Sequence, residues 1–148
     1  MKLEDEIQQH KGFRNQKQKA VVNVLFTHAW VTEKFRELMK PYDLTHQQFN
    51  VLRILRGSLP NPLSTSCIRN RMIDKMSDAS RIVDRLCKKE LVVRVQSAKD
   101  RRLVEVRISD KGLALLATMD HHEMDEITAN LTDAELTQLN ALLDKLRG

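Results

Sequence analysis

Residues 64–108 read STSCIRNRMIDKMSDASRIVDRLCKKELVVRVQSAKDRRLVEVRI, and this stretch decides the fold. Ser64 opens a short helix to about Met72, with Ile68 and Met72 turned inward, and a tight turn follows at Ile73-Asp74. A second helix is predicted from about Lys75 to Lys89, its apolar stripe being Ala79, Ile82, Val83 and Leu86. Two short helices joined by a tight turn make a helix-turn-helix. Off the stripe lie Ser77, Ser80, Arg81 and Arg85, which present small polar and guanidinium groups outward. The period then changes. Leu91-Val92-Val93-Arg94-Val95 is rich in β-branched residues, and Val104-Glu105-Val106-Arg107-Ile108 alternates apolar with charged, as a half-buried strand does. Between them Gln96–Arg102 forms a polar hairpin tip with three basic groups. A helix-turn-helix followed by a basic hairpin is a winged helix, so the expected class is α+β, mostly α.

Outward from this stretch the pattern is helical. Leu44-Thr45-His46-Gln47-Gln48-Phe49 carries a capping box, Thr45 with Gln48, flanked by Leu44 and Phe49 as a hydrophobic staple. That helix should run to Gly57, followed by Leu59-Pro60-Asn61-Pro62 as an extended connector. Before it, apolar residues recur at three- and four-residue steps from Gln16 to Lys40, a long amphipathic helix ended by Pro41. After the hairpin, Ser109 caps a helix whose inner line is Leu113, Leu116, Met119, Glu123 and Ile127. Thr132 and Glu135 form a second capping box, and Leu136, Leu139, Leu142, Leu143 and Leu146 make an apolar stripe. The expected organisation is an arm over 1–15, a helical dimerisation region over 16–40 and 110–148, and a winged-helix region over 41–109. Leu-rich stripes at both chain ends, outside the compact module, want cover, and a second copy in a homodimer is the economical solution.

The composition agrees. With 148 residues, 41% apolar and 30% charged, the chain is one domain with arms, neither disordered nor membrane-embedded. Two cysteines make no disulfide framework, and no signal peptide or long apolar run is visible, so a cytoplasmic protein is expected. The net charge of +5 is polarised: +4 over residues 1–65, +6 over 66–108 and −5 over 109–148. A basic middle beside an acidic end is what a polyanion-binding module with a separate partner surface carries. No G-x-S-x-G, H-E-x-x-H or Gly-rich phosphate loop occurs, which argues against an enzyme, and no cofactor is expected.

The whole chain beyond the arm resembles the MarR family of bacterial transcription regulators. Leu44–Leu52 resembles the family's LTxxQFxVL segment, and Ser80–Leu86 resembles its TRLVDRL recognition-helix pattern. In Lys88-Lys89-Glu90-Leu91-Val92, Glu90 stands where the family usually has Gly. Asp100-Arg101-Arg102 followed by Ile108-Ser109-Asp110-Lys111-Gly112 fits the wing signature D-x-R-x5-[LI]-[TS]-x-x-G. The resemblance implies a sequence-specific regulator, usually a repressor, that binds a near-palindromic operator in double-stranded DNA as a homodimer. On that reading Ser77, Ser80 and Arg81, with Arg85, meet the major groove. Ser64 and Ser66 meet phosphate, Arg102 enters the minor groove with Asp100 aiming it, and Lys99 and Arg101 add phosphate attraction. Cys67 replaces an acidic capping residue and Ile73 the usual turn Gly. Asp78 faces two readings, helix capping or a cytosine contact.

The family commonly takes a small aromatic or anionic effector between its dimer helices and the winged helix, and Trp30, His46, Phe49 and Arg53 would contribute walls and one cation. Cys67 and Cys87 do not match the family's peroxide-sensing position. His121 and His122 are adjacent, so on a helix they diverge and make no metal pair; no metal is expected. The competing classes are a nucleoid-type binder with little sequence preference and a winged helix that meets an acidic protein.

Overall fold

The computed structural model describes residues 1–119 and 123–148. His121 and His122 lie outside the described residues. The chain divides into two compact units, Met1–Leu38 and Met39–Gly148.

In the first unit a short helix α1 (Leu3–Glu6) precedes the long helix α2 (Gln16–Met39), whose last residue falls in the second unit. Arm residues 1–15 are tied down. Leu3 is buried, and Glu4 accepts a 2.5 Å hydrogen bond from Lys19 Nζ that holds its carboxyl below the ordinary carboxylate range. Asn15 Oδ1 accepts from Gln18 N at 2.9 Å, while the Gln18 side chain accepts from Arg14 N at 2.8 Å, together satisfying donors at the start of α2. As Pro41 predicts, α2 gives way to a 3₁₀ turn over Lys40–Tyr42.

The second unit holds α3 (His46–Gly57), β1 (Leu63–Ser64), α4 (Thr65–Arg71), α5 (Ala79–Lys88), β2 (Val92–Gln96), β3 (Val104–Ile108), α6 (Asp110–Met119), α7 (Glu123–Thr128) and α8 (Asp133–Arg147). Both predicted capping boxes form, Thr45 with Gln48 and Thr132 with Glu135. The three strands are antiparallel in the order β1-β3-β2, with Val92 opposite Ile108 and Gln96 opposite Val104. Val51, Leu52 and Leu55 of α3 are buried, as are Ile68 and Met72, Val83 and Leu86 of α5, Val106 and Ile108 of β3, and Leu116 of α6. This apolar interior provides most of the driving force for the unit.

The structure corrects three local expectations. The 59–62 connector is a turn, not an extended segment: Leu59 N–H donates to Arg56 O, Asn61 N–H to Ser58 O, and the Ser58 hydroxyl bridges Leu55 O and Asn61 O. The second helix of the helix-turn-helix begins at Ala79, four residues later than Lys75, because Asp78 takes the N-cap and accepts from Arg81 N at 3.1 Å. Ser64, read only as a helix start, also pairs with Glu105 as a strand, together with Leu63 opposite Val106.

Gly112 explains the last letter of the wing signature. A Cβ there would lie 2.3 Å from Leu91 O and 2.7 Å from Ile108 Cγ1, so only glycine lets α6 seat against the sheet. Ser109 caps that helix, accepting from Gly112 N at 3.0 Å and donating to Glu90 O at 2.7 Å. Glu90 sits at φ +60, the left-handed region that glycine fills more easily, where α5 turns into the sheet.

Candidate nucleic-acid interface

The interface builds from α4, the turn after it, α5 and the wing. Ser64 is the N-cap of α4, and its oxygen accepts from Cys67 N at 3.1 Å, leaving the hydroxyl hydrogen to donate outward. Ser66, on the first turn, is exposed. On α5, Ala79, Val83 and Leu86 face the core, which turns Ser80, Arg81 and Arg85 to solvent. Arg81 lies 3.9 Å from its helix-capping neighbour Asp78, an exposed pair that contributes little to holding the guanidinium in place. Asp78 therefore caps the helix, the first of its two readings. Ser77 differs from the expectation: it precedes the helix, and its hydroxyl donates to Asp74 Oδ2 at 2.9 Å.

Asp84 pairs with Arg94 of β2, whose guanidinium also donates to Cys87 Sγ at 3.4 Å. The Asp84 hydrogen bond raises the Arg94 pKa against the opposing pull of desolvation. This contact joins α5 to the wing strand by two side chains.

At the wing tip the buried Ser97 oxygen accepts from Lys99 N and Asp100 N, both at 3.3 Å, and Gln96 Nε2 donates to Arg101 O at 2.8 Å. Asp100 Oδ1 accepts from the backbone N–H of Arg102 at 3.0 Å. The expectation was that Asp100 would hold the Arg102 guanidinium. Two residues apart in a turn, a carboxylate reaches the intervening backbone more readily than a long side chain's end. Asp100 shapes the loop, and Lys99, Arg101 and Arg102 project their charges into solvent.

The four residues expected to line a ligand pocket fall in different units. Trp30 lines a cavity of about 390 Å3 in the first unit with Leu3, Lys19 and Phe26. In the second unit Phe49 is buried with the Arg53 guanidinium 5.6 Å from its ring centroid, a cation–π contact, and His46 begins α3. Sequence reading missed a second cavity of about 490 Å3, lined by Tyr42, Lys89, Leu91, Lys111, Leu115 and Thr118. These residues are scattered over the chain and carry no motif. Cys67 and Cys87 are free thiols, one exposed and one half-buried. Among the described residues, no cluster of three or more His, Cys, Asp or Glu is placed to hold a metal, and no helix is long and apolar enough to cross a membrane.

A capped helix-turn-helix, an outward face of Ser80, Arg81 and Arg85, and a hairpin tipped with three cations define a winged-helix DNA-binding module. The MarR family model matches residues 44–104. The multiple antibiotic resistance protein MarR of Escherichia coli (strain K12) is 31% identical over 121 residues, covering 74% of this chain and 78% of the relative. The HTH-type transcriptional repressor IacR of Pseudomonas putida is 30% identical over 125 residues, covering 79% and 71%. In fold, the chain superposes on a mutant MarR from E. coli complexed with operator DNA with a TM-score of 0.77, at 24% identity, covering 92% of this chain and 99% of that one. The chain belongs to the MarR family. It is a DNA-binding transcription regulator, and the relatives it matches are regulators rather than enzymes.

Proposed function

We propose that the protein acts as a homodimeric repressor on a near-palindromic operator, with residues 41–109 reading DNA and residues 16–40 and 110–148 joining two copies. The observation that carries this reading is the exposed face of α5, where Ser80, Arg81 and Arg85 stand clear of the buried Ala79, Val83 and Leu86 and the half-buried Ile82. Such a face fits a major groove, where Arg pairs with guanine and Ser with several base edges. Ser64 and Ser66 meet phosphate, and Ser77 helps hold the turn that precedes α5. Lys99 and Arg101 neutralise phosphate, and Arg102 enters the minor groove, where a narrow groove attracts a guanidinium. Among the dimerisation helices, Val21 and Leu25 of α2 and Leu142 and Leu146 of α8 are all more than half exposed, the surface a second copy would cover. A small aromatic or anionic effector would release repression by favouring a spacing of the two DNA-binding lobes that does not match the operator.

The test is selection of bound duplexes from a random library at two salt concentrations, followed by Arg102→Ala on the enriched site. The expected site is an inverted repeat with half-sites about one helical turn apart. Arg102→Ala should weaken operator binding about tenfold and lower the salt slope by about one per wing, while sedimentation still gives a dimer. Binding without an enriched sequence, fading with salt alone, would sink the operator reading in favour of a nucleoid-type binder.

A further inference from the structure

Apart from Met1, the two most exposed large apolar side chains among the described residues are Ile73 at 86% and Met76 at 93%, both in the turn between α4 and α5. Their exposure does not come from a slack loop. Ile73 N–H donates to Asn50 Oδ1 of α3 at 3.0 Å, Met76 N–H donates to Asp74 Oδ1 at 3.0 Å, and Ser77 donates to Asp74 through both its backbone N–H and its hydroxyl. The backbone is pinned at each of these residues while the side chains are left in water.

An apolar side chain held outward in this way suits an apolar partner, yet its neighbours suit a polyanion. Arg71, Lys75, Arg81 and Arg85 are all exposed in the same helix-turn-helix segment, where Asp74 and Asp78 are engaged in shaping the turn and capping α5. Duplex DNA satisfies both demands at one place. In its major groove the thymine 5-methyl is the apolar group that base edges present, a few ångströms from phosphates that want cations. Met76 stands two residues ahead of the N-cap of α5, the end of a recognition helix that meets base edges, whereas Ile73 is farther upstream. Ser77, the reader expected there, has its hydroxyl occupied by Asp74.

We propose that Met76 is a specificity-determining residue that packs against a thymine 5-methyl group in each operator half-site. The flexible thioether side chain follows the shape of the groove, and removing the methyl from water supplies the preference for thymine over cytosine at that base pair. This inference rests on the operator reading above.

The experiment replaces each thymine of the selected operator, one position at a time, by deoxyuridine, which removes only the methyl group. Wild-type protein should lose roughly threefold in affinity when one thymine of a half-site is replaced, and about tenfold when its symmetry mate is replaced as well. Met76→Ala, at an exposed position, should fold normally, bind the thymine operator as weakly as wild type binds the uracil one, and be indifferent to the exchange. Ile73→Ala should keep the uracil penalty. A wild-type protein indifferent to uracil at every position overturns the methyl readout alone, as does a penalty that survives Met76→Ala or disappears in Ile73→Ala. A protein that enriches no operator overturns the operator reading and the readout with it.

Discussion

Helices α3 and α8 begin with the same device and arrive in opposite surroundings. Each opens on a threonine whose hydroxyl accepts from the N–H three residues on, with a Gln48 or Glu135 side chain reaching back to the threonine N–H. In α3 five residues are buried, Phe49, Val51, Leu52 and Leu55 among them; in the longer α8 none is. Capping is local and requires only four neighbouring residues, so it forms alike in both. Burial requires another surface: Leu136 and Leu143 of α8 are half-buried, while Leu139, Leu142 and Leu146 stay exposed. An isolated helix of this length is marginal in water, and the exposed part of the stripe is where the proposed second copy would pack.

The sharpest way to break this comparison is to charge the α8 stripe. Leu142→Glu with Leu146→Glu, at positions 57% and 62% exposed, should weaken self-association by at least about a hundredfold, seen as a monomer in sedimentation velocity. The monomer should keep a cooperative melt, because the α3 core does not touch the change. A dimer that persists unchanged would place the contact elsewhere. A smaller effect is expected where α6 belongs to the packed half of the molecule. Gly112→Ala must push α6 off Leu91 O, and thermal melting should report a loss of about 1–3 kcal/mol. An unchanged melting temperature would mean that α6 seats less closely on the sheet. The smallest effect is a gain. Glu90→Gly relieves the left-handed backbone at φ +60 and gives up only an exposed 3.8 Å pair with Lys111, so stability should rise by up to about 1 kcal/mol. A loss would show that the exposed pair contributes more than its geometry implies.

What the sequence made legible follows the same division between local and distant. Thr45 with Gln48, Thr132 with Glu135, Pro41, Ser109 and the alternation from Val104 to Ile108 act over a few residues, and each element they announce is present. The strand at Leu63-Ser64 exists only through its pairing with Val106 and Glu105, some forty residues away, so nothing nearby announces it. The start of α5, expected at about Lys75, falls later for another reason: Asp74, Ser77 and Asp78 are all residue types that cap helices, and three lie within five residues. The structure resolves the competition by giving Asp74 and Ser77 to the turn and Asp78 to the helix. At the interface, the outward residues of α5 and the wing were readable from periodicity and charge. Met76 was not, because a lone methionine near a helix start reads as core until its exposure is known.

The clamp that Asp74 makes on the turn has a consequence for how such a protein changes over generations. Three hydrogen bonds to the backbone and hydroxyl of Met76 and Ser77 hold the loop's shape without calling on the Met76 side chain. The Met76 side chain is thereby left out of the bonds that shape the turn, so a substitution that keeps the backbone N–H leaves the clamp in place. On the proposed readout, duplicated copies diverge in the sites they recognise through that one position while the turn keeps its shape, provided the residue there keeps its backbone N–H.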